Sequence, residues 1–248
     1  VVFMFDLIVN DPISDPLLKY QSDKINNSKQ IKNIFVGDSS CGNSIDSKLF
    51  EEGTYNLSLT GDYNIINTYR IIQRAFKKND KIKNVYVMQT FDVFQREDEQ
   101  IFNIDSEELS FYKRILTKIK SLKYFLTIRP FTNFEIFNDH LKQSAKYNYK
   151  GEKLILAKGI SSFNKKSILM IKDFCEKRKI NYTFLFGPSI PIEKNKFYYE
   201  IVDFFKINEI NLIEDFYELH KENIGDGKDH VSYDFKSEST LFYKKLID

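Results

Sequence analysis

Short apolar runs of strand length alternate with helical stripes along most of the chain, and that alternation constrains the fold more than any other feature. "NIFVG" (33–37) is a buried run that stops at Gly37, and a helix is expected to begin near Ser40. "TYNLSL" (54–59) reads as a second strand. Ile65, Tyr69, Ile72 and Phe76 then recur at helical spacing and predict an amphipathic helix ending near Asn79 and Asp80. "NVYVMQ" (84–89) is a third strand. The rhythm resumes with a helix between Ser161 and Lys179, carrying Ile168, Ile171 and Cys175. A strand "YTFLFGP", broken by Gly187-Pro188, comes next. A helix around 193–206, a short strand in "INLIED" and a last helix of 237–247 complete the series. Strands that alternate with helices form a parallel sheet covered on both faces. The expected fold is therefore α/β, a flavodoxin-like three-layer α/β/α domain over residues 31–248. Its sites belong at the carboxyl ends of the strands. Residues 95–150 break the rhythm. Tyr112, Ile115, Ile119 and Leu122 make a helical stripe there, and the stretch reads as a largely helical insertion.

The chain has 248 residues, enough for one substantial domain, and 23 Phe with 15 Tyr can fill its core without Trp. Its 37 basic and 35 acidic residues nearly balance, which argues against nucleic acid as the partner. Cys41 and Cys175 form neither a disulfide framework nor a zinc pattern, and read as two buried thiols. The chain opens on Val1 and reads as a piece of a longer protein. Its first nine residues, "VVFMFDLIV", are apolar except for Asp6. They are expected to be the outer end of a membrane-spanning helix, with a strand or helix of the domain as the other reading. A span needs about 20 apolar residues. The polar run "QSDKINNSKQ" then reads as a linker, so residues 1–30 are taken as membrane-proximal or linker.

Chemistry is sought first in "IFVGDSSCGNSID" (34–46), where a strand runs into Gly37-Asp38-Ser39. A serine at a helix start sits among unpaired backbone N–H groups and a partial positive charge. There it is placed to attack a carbonyl, and its own N–H can hold the oxyanion that forms. The competing reading is a plain helix cap, for which Asp and Ser are both well suited. Gly61, just after the second strand, reads as a second oxyanion donor or as an ordinary turn glycine. His230 lies in the Gly/Asp-rich "GDGKDHVS", between a strand and the final helix. It reads as a general base or as a solvated loop histidine, with Asp226 and Asp229 both close enough in sequence to orient it. Asp226 is preferred, because a residue adjacent to His230 has difficulty folding back onto the ring. His140 and His220 read as members of helical faces.

Together these residues resemble the SGNH (GDSL-type) hydrolase superfamily. Gly37-Asp38-Ser39 is similar to its first block, Gly61 to the oxyanion glycine of its second, and the Asp226–His230 segment to its last. The family's Asp-x-x-His is matched in part, since Gly227 stands three residues before His230 and Asp226 four. The third block departs further. The resemblance implies an oxyanion-binding Asn after the third strand, where this chain has Met88-Gln89-Thr90-Phe91-Asp92. Gln89 or Thr90 is the replacement expected. No phosphate loop, dinucleotide fingerprint or spaced metal-ligand set occurs, and no cofactor or metal is expected.

The resemblance implies acyl chemistry, with Ser39 as nucleophile, His230 as base and Asp226 (or Asp229) as its carboxylate. The oxyanion would rest on Ser39, Gly61 and Gln89 or Thr90. Divergent cell-envelope members of that superfamily add or remove acetyl groups on polysaccharides. The expected partners are accordingly an acyl donor and a glycan acceptor, and the expected setting is an extracytoplasmic, membrane-anchored one, with the cytoplasm as the alternative. Two other readings stay open: a non-catalytic binding or assembly module on the same fold, and an unrelated flavodoxin-like domain with a chance Gly-Asp-Ser.

Overall fold

The computed structural model describes residues 16–28, 30–59, 64–97 and 147–248. The apolar opening, Gly61, His140 and most of the expected insertion lie outside the described residues. The elements in chain order begin with helix α1 (Pro16–Asn27), strand β1 (Asn33–Gly37) and helix α2 (Ser39–Ser44), followed by β2 (Thr54–Asn56) and α3 (Ile65–Lys78). Next come β3 (Asn84–Gln89), α4 (Phe91–Gln95), β4 (Leu154–Ile155) and α5 (Ser162–Lys177). The chain closes with β5 (Asn181–Phe186), β6 (Ile192–Glu193), α6 (Lys196–Ile207), β7 (Leu212–Ile213) and α7 (Lys236–Ile247).

Five strands form one sheet in the order β2-β1-β3-β5-β7, and every neighbouring pair is parallel. β4 and β6 make a separate small parallel pair. The central strands carry unbroken apolar stretches, Ile34–Val36, Val85–Met88 and Phe184–Phe186, because both of their faces are covered there. Ile34 and Val36 of β1, Val85 and Val87 of β3, and Phe184 and Phe186 of β5 point into one core, which also takes Ile71 of α3, Ile171 of α5 and Ile201 of α6. The intervening Phe35, Met88 and Leu185 point into a second core with Cys41 and Ile45 around α2 and Tyr243 of α7. Helices thus lie on both faces of a parallel sheet, as the three-layer α/β/α reading requires.

Two local departures have physical causes. β2 stops at Asn56 because that side chain takes over the next donors: its Oδ1 accepts from Ser58 N at 3.1 Å and from Ser58 Oγ at 2.6 Å. The chain still runs beside β1, with Leu57 N on Phe35 O and Leu59 N on Gly37 O, both at 2.8 Å. The run expected to be a linker is instead helical as far as Asn27. Ile25 is buried, and so is Gln21, whose Nε2 donates to Ser58 O at 2.7 Å. Among the described residues no helix is long and apolar enough to cross a membrane.

The strand order reverses direction between β1 and β3, because successive connections leave to opposite sides of that pair. At such a switch point the two loops at the carboxyl ends diverge and leave a crevice. The segments that enter it are Gly37-Asp38-Ser39 after β1 and Gln89-Thr90 after β3.

Candidate active site

The turn after β1 is fixed from three sides. Gly37 pairs with Met88 across the sheet, and a Cβ built on it would stand 1.7 Å from Met88 O. Only glycine fits there, at a φ of +154°. Asp38 is the N-cap of α2 and is buried. Its Oδ1 accepts from Ser40 N at 2.9 Å and from Ser40 Oγ at 2.5 Å. Its Oδ2 accepts from the backbone N–H and the hydroxyl of Thr90, each at 2.9 Å. One carboxylate therefore ties the loop after β1 to the loop after β3. A buried carboxylate is tolerated only with its lone pairs satisfied in this way.

The cap and the reactive position consequently fall on different residues. Asp38 does the capping, Ser40 is spent on Asp38, and Ser39 is partly exposed. Ser39 Oγ lies 2.9 Å from His230 Nε2, across 191 residues of chain. His230 Nδ1 lies 2.5 Å from Asp226 Oδ1. Asp226 accepts only, so Nδ1 carries the ring proton. The neutral imidazole then presents a bare Nε2 to the serine hydroxyl. Of the two carboxylates considered, Asp226 is the one on Nδ1, four residues before the ring. Asp229 faces the other nitrogen, with Oδ1 3.9 Å from Nε2.

The base loop is clasped at its neck. Ile224 and Val231 form an antiparallel bridge, Gly225 N donates to His230 O at 2.7 Å, and Ser232 N donates to Asn223 O at 2.8 Å. Gly227 takes a left-handed φ of +68° within the turn, which a glycine adopts at least cost. Ile190 N donates to Lys228 O at 3.0 Å and fastens the tip of the loop to the chain beyond β5.

Electrostatics in this loop are strongly coupled. Burial pulls the His230 pKa down, but the hydrogen bond to Asp226 and the charges of Asp229, Asp226 and Asp38 outweigh it, and the net shift is upward. Burial pushes Asp229 up to about 6, despite the opposing pull of His230. Cys41, two residues beyond Ser39, is fully buried, and desolvation together with Asp38 drives its thiol far upward. It stays protonated and offers no competing nucleophile.

The remaining expected positions fare differently. The backbone N–H of Ser39 is the first of α2, and no hydrogen-bond partner for it occurs among the described residues. Gly61 lies outside them. The single hydroxyl hydrogen of Thr90 is committed to Asp38, so Thr90 has no side-chain donor left for an oxyanion. Gln89 is buried, with Nε2 anchored on Thr68 Oγ1 at 3.0 Å and Oε1 without a partner. Its amide keeps one further hydrogen. His220 is on no helix: it lies in the loop after β7, exposed, with Nε2 3.2 Å from Glu218.

Three functional neighbours escaped sequence reasoning. Thr90 as the partner of Asp38 is a tertiary pairing without a local signal. Lys236, at the start of α7, is drawn inward to donate to Gly42 O at 2.8 Å, and burial lowers its pKa to about 8. Asn56 supports the far end of α2 by donating to Cys41 O at 3.1 Å and Ile45 O at 2.9 Å.

No protein-family model matches the chain, and no curated protein matches it. The parallel α/β fold and the Ser39–His230–Asp226 geometry are what define its class: an open sheet with a serine, an imidazole and a carboxylate in line at its carboxyl rim.

Proposed function

We propose that the protein is a serine-dependent acyltransferase or esterase of the SGNH type that acts on acetylated or acetyl-accepting polysaccharide. His230 Nε2 takes the Ser39 proton as Oγ attacks an acyl carbonyl. Asp226 holds the ring in the required tautomer and stabilises the imidazolium. The imidazolium gives that proton to the departing oxygen of the acyl donor as the tetrahedral intermediate collapses to acyl-serine. Neutral His230 then takes a proton from a sugar hydroxyl or water as it attacks the acyl carbonyl, and returns it to Ser39 Oγ as the acyl group leaves. The Ser39 N–H faces the developing oxyanion, with Gly61 and the spare hydrogen of Gln89 as the other donors in this reading.

The observation that supports it most is the line of contacts at 2.9 Å and 2.5 Å joining Ser39, His230 and Asp226 from opposite ends of the chain. A solvated loop histidine has no reason to meet both. The reading includes a membrane-tethered, cell-envelope setting, resting on the apolar run at residues 1–9. The test is turnover of p-nitrophenyl acetate. The Ser39→Ala variant is expected to fall to background, a loss on the order of 10⁴ or more, with its circular dichroism unchanged. Unchanged turnover would remove Ser39 from the mechanism.

One observation favours a second reading, a non-catalytic module. The loop after β3 has Thr90 where a side-chain oxyanion donor is wanted, and that hydroxyl is spent on Asp38. Losing one such donor costs about 2.7–4 kcal/mol of barrier lowering. A wild-type protein inert towards every acyl ester would favour that module.

A further inference from the structure

A cavity of about 630 Å³ opens between α1, α2 and the start of α7. That size falls within the range of small-ligand sites, about 300–1,000 Å³. Its walls are unlike an apolar pocket. Lys24, Asp46, Lys48, Asn56, Asp234 and Lys236 line it, and Tyr20 and Tyr233 supply aromatic surface. A sugar presents the matching chemistry, with hydroxyls that need donors and acceptors at every edge and C–H faces that pack on rings. Tyrosine serves both needs through its ring and its hydroxyl.

The charge pattern adds an acid. Three lysines and two aspartates line the cavity. Lys236 is half-buried, and its ammonium gives one hydrogen bond to Gly42 O while carrying three donors. An anionic group entering the cleft completes its coordination. Asp46 favours the Lys236 charge electrostatically, and its Oδ1 also accepts from Lys48 N as the cap of the short 3-10 helix at Ser47–Leu49.

Two residues of the cleft are also close along the chain to the serine and the imidazole. Gly42 lies three residues beyond Ser39 on α2, about one helical turn along. Tyr233 lies three residues beyond His230.

We propose that this cleft binds an acidic sugar, a uronic acid residue of the polysaccharide substrate, with Lys236 as the contact to its carboxylate. The inference rests on the acyl-transfer reading for its substrate class, but its test does not depend on turnover. Tetragalacturonate and the neutral galactotetraose are titrated calorimetrically against the full chain carrying Ser39→Ala. Tetragalacturonate is expected to bind, and galactotetraose to bind at least about tenfold more weakly. Adding Lys236→Met, which keeps the buried stem, is expected to weaken tetragalacturonate binding by about tenfold or more. Lys48→Glu, at an exposed edge of the cleft, is expected to weaken it in the same direction without risk to folding. No binding, equal binding of the neutral sugar, or indifference to both lysine changes would overturn the proposal. Loss of acyl turnover in the wild-type protein with tetragalacturonate binding intact counts against the reaction alone and leaves the cleft supported.

Discussion

The nucleophile segment and the base loop are held in opposite ways. Residues 37–40 are part of the scaffold. Gly37 is pressed against the backbone of β3, Asp38 accepts four hydrogen bonds, two of which join the ends of β1 and β3, and Ser40 is buried behind it. Residues 225–230 are a surface turn, secured by one bridge at the neck and a few backbone bonds, with the Asp226 side chain 40% exposed. The serine is thus placed by the fold itself, and the imidazole is delivered by a loop. Damage to the first segment should appear as lost stability. Damage to the second should appear as lost activity on an intact fold.

The largest effect expected from this contrast is that of Asp226→Asn. The amide can donate to Nδ1 and favour the wrong tautomer, leaving Nε2 protonated and unable to accept from Ser39. Turnover of p-nitrophenyl acetate is expected to fall by about 10²–10⁴-fold, while the thermal midpoint stays close to that of the wild type. A comparable fall in stability would break the distinction between loop and scaffold. Gly37→Ala is the reciprocal case. Its Cβ has no room beside Met88 O, and the strands must part to admit it. Denaturant unfolding should show a loss of about 3 kcal/mol or more, combining overpacking with an unfavourable φ. A neutral outcome would mean that the β1–β3 contact is softer than described.

A smaller effect concerns pH. The base must be neutral to act, and its pKa is raised by Asp226, Asp229 and Asp38. Activity should therefore rise with pH through a midpoint above the ordinary histidine value of about 6.5. Asp229→Asn removes one of the charges that favour imidazolium, so the midpoint should move down by a fraction of a pH unit. An upward move would contradict the electrostatic account of the loop.

Most of the scaffold could be read in the residues because the central strands are buried on both faces. Ile34–Val36, Val85–Met88 and Phe184–Phe186 are unbroken apolar runs for that reason, and the helices between the strands carry regular stripes. Helix α1 was not legible. Its inner face includes Gln21, a polar residue that buries itself through a hydrogen bond to Ser58 O, and such a residue leaves no mark in hydropathy. Within the site, the Gly-Asp-Ser turn and the lone loop histidine were visible as local patterns, and the preference for Asp226 followed from chain geometry. The roles of Thr90, Lys236 and Asn56 were hidden, since each depends on partners at least 11 residues away in sequence. His220 was misjudged for a related reason: the apolar positions around it pack as a loop under α7, with Leu219 and Ile224 buried but without a helix between them.

The adjacent serines provide the sharpest test. Ser39 meets His230, and Ser40 is bound to Asp38. Peptide mapping after reaction with a fluorophosphonate should find one adduct per chain, on Ser39, none in Ser39→Ala, and slow labelling in His230→Ala. An adduct on Ser40, labelling that is indifferent to His230, or no adduct on the folded wild-type protein would contradict the proton relay on which the account depends.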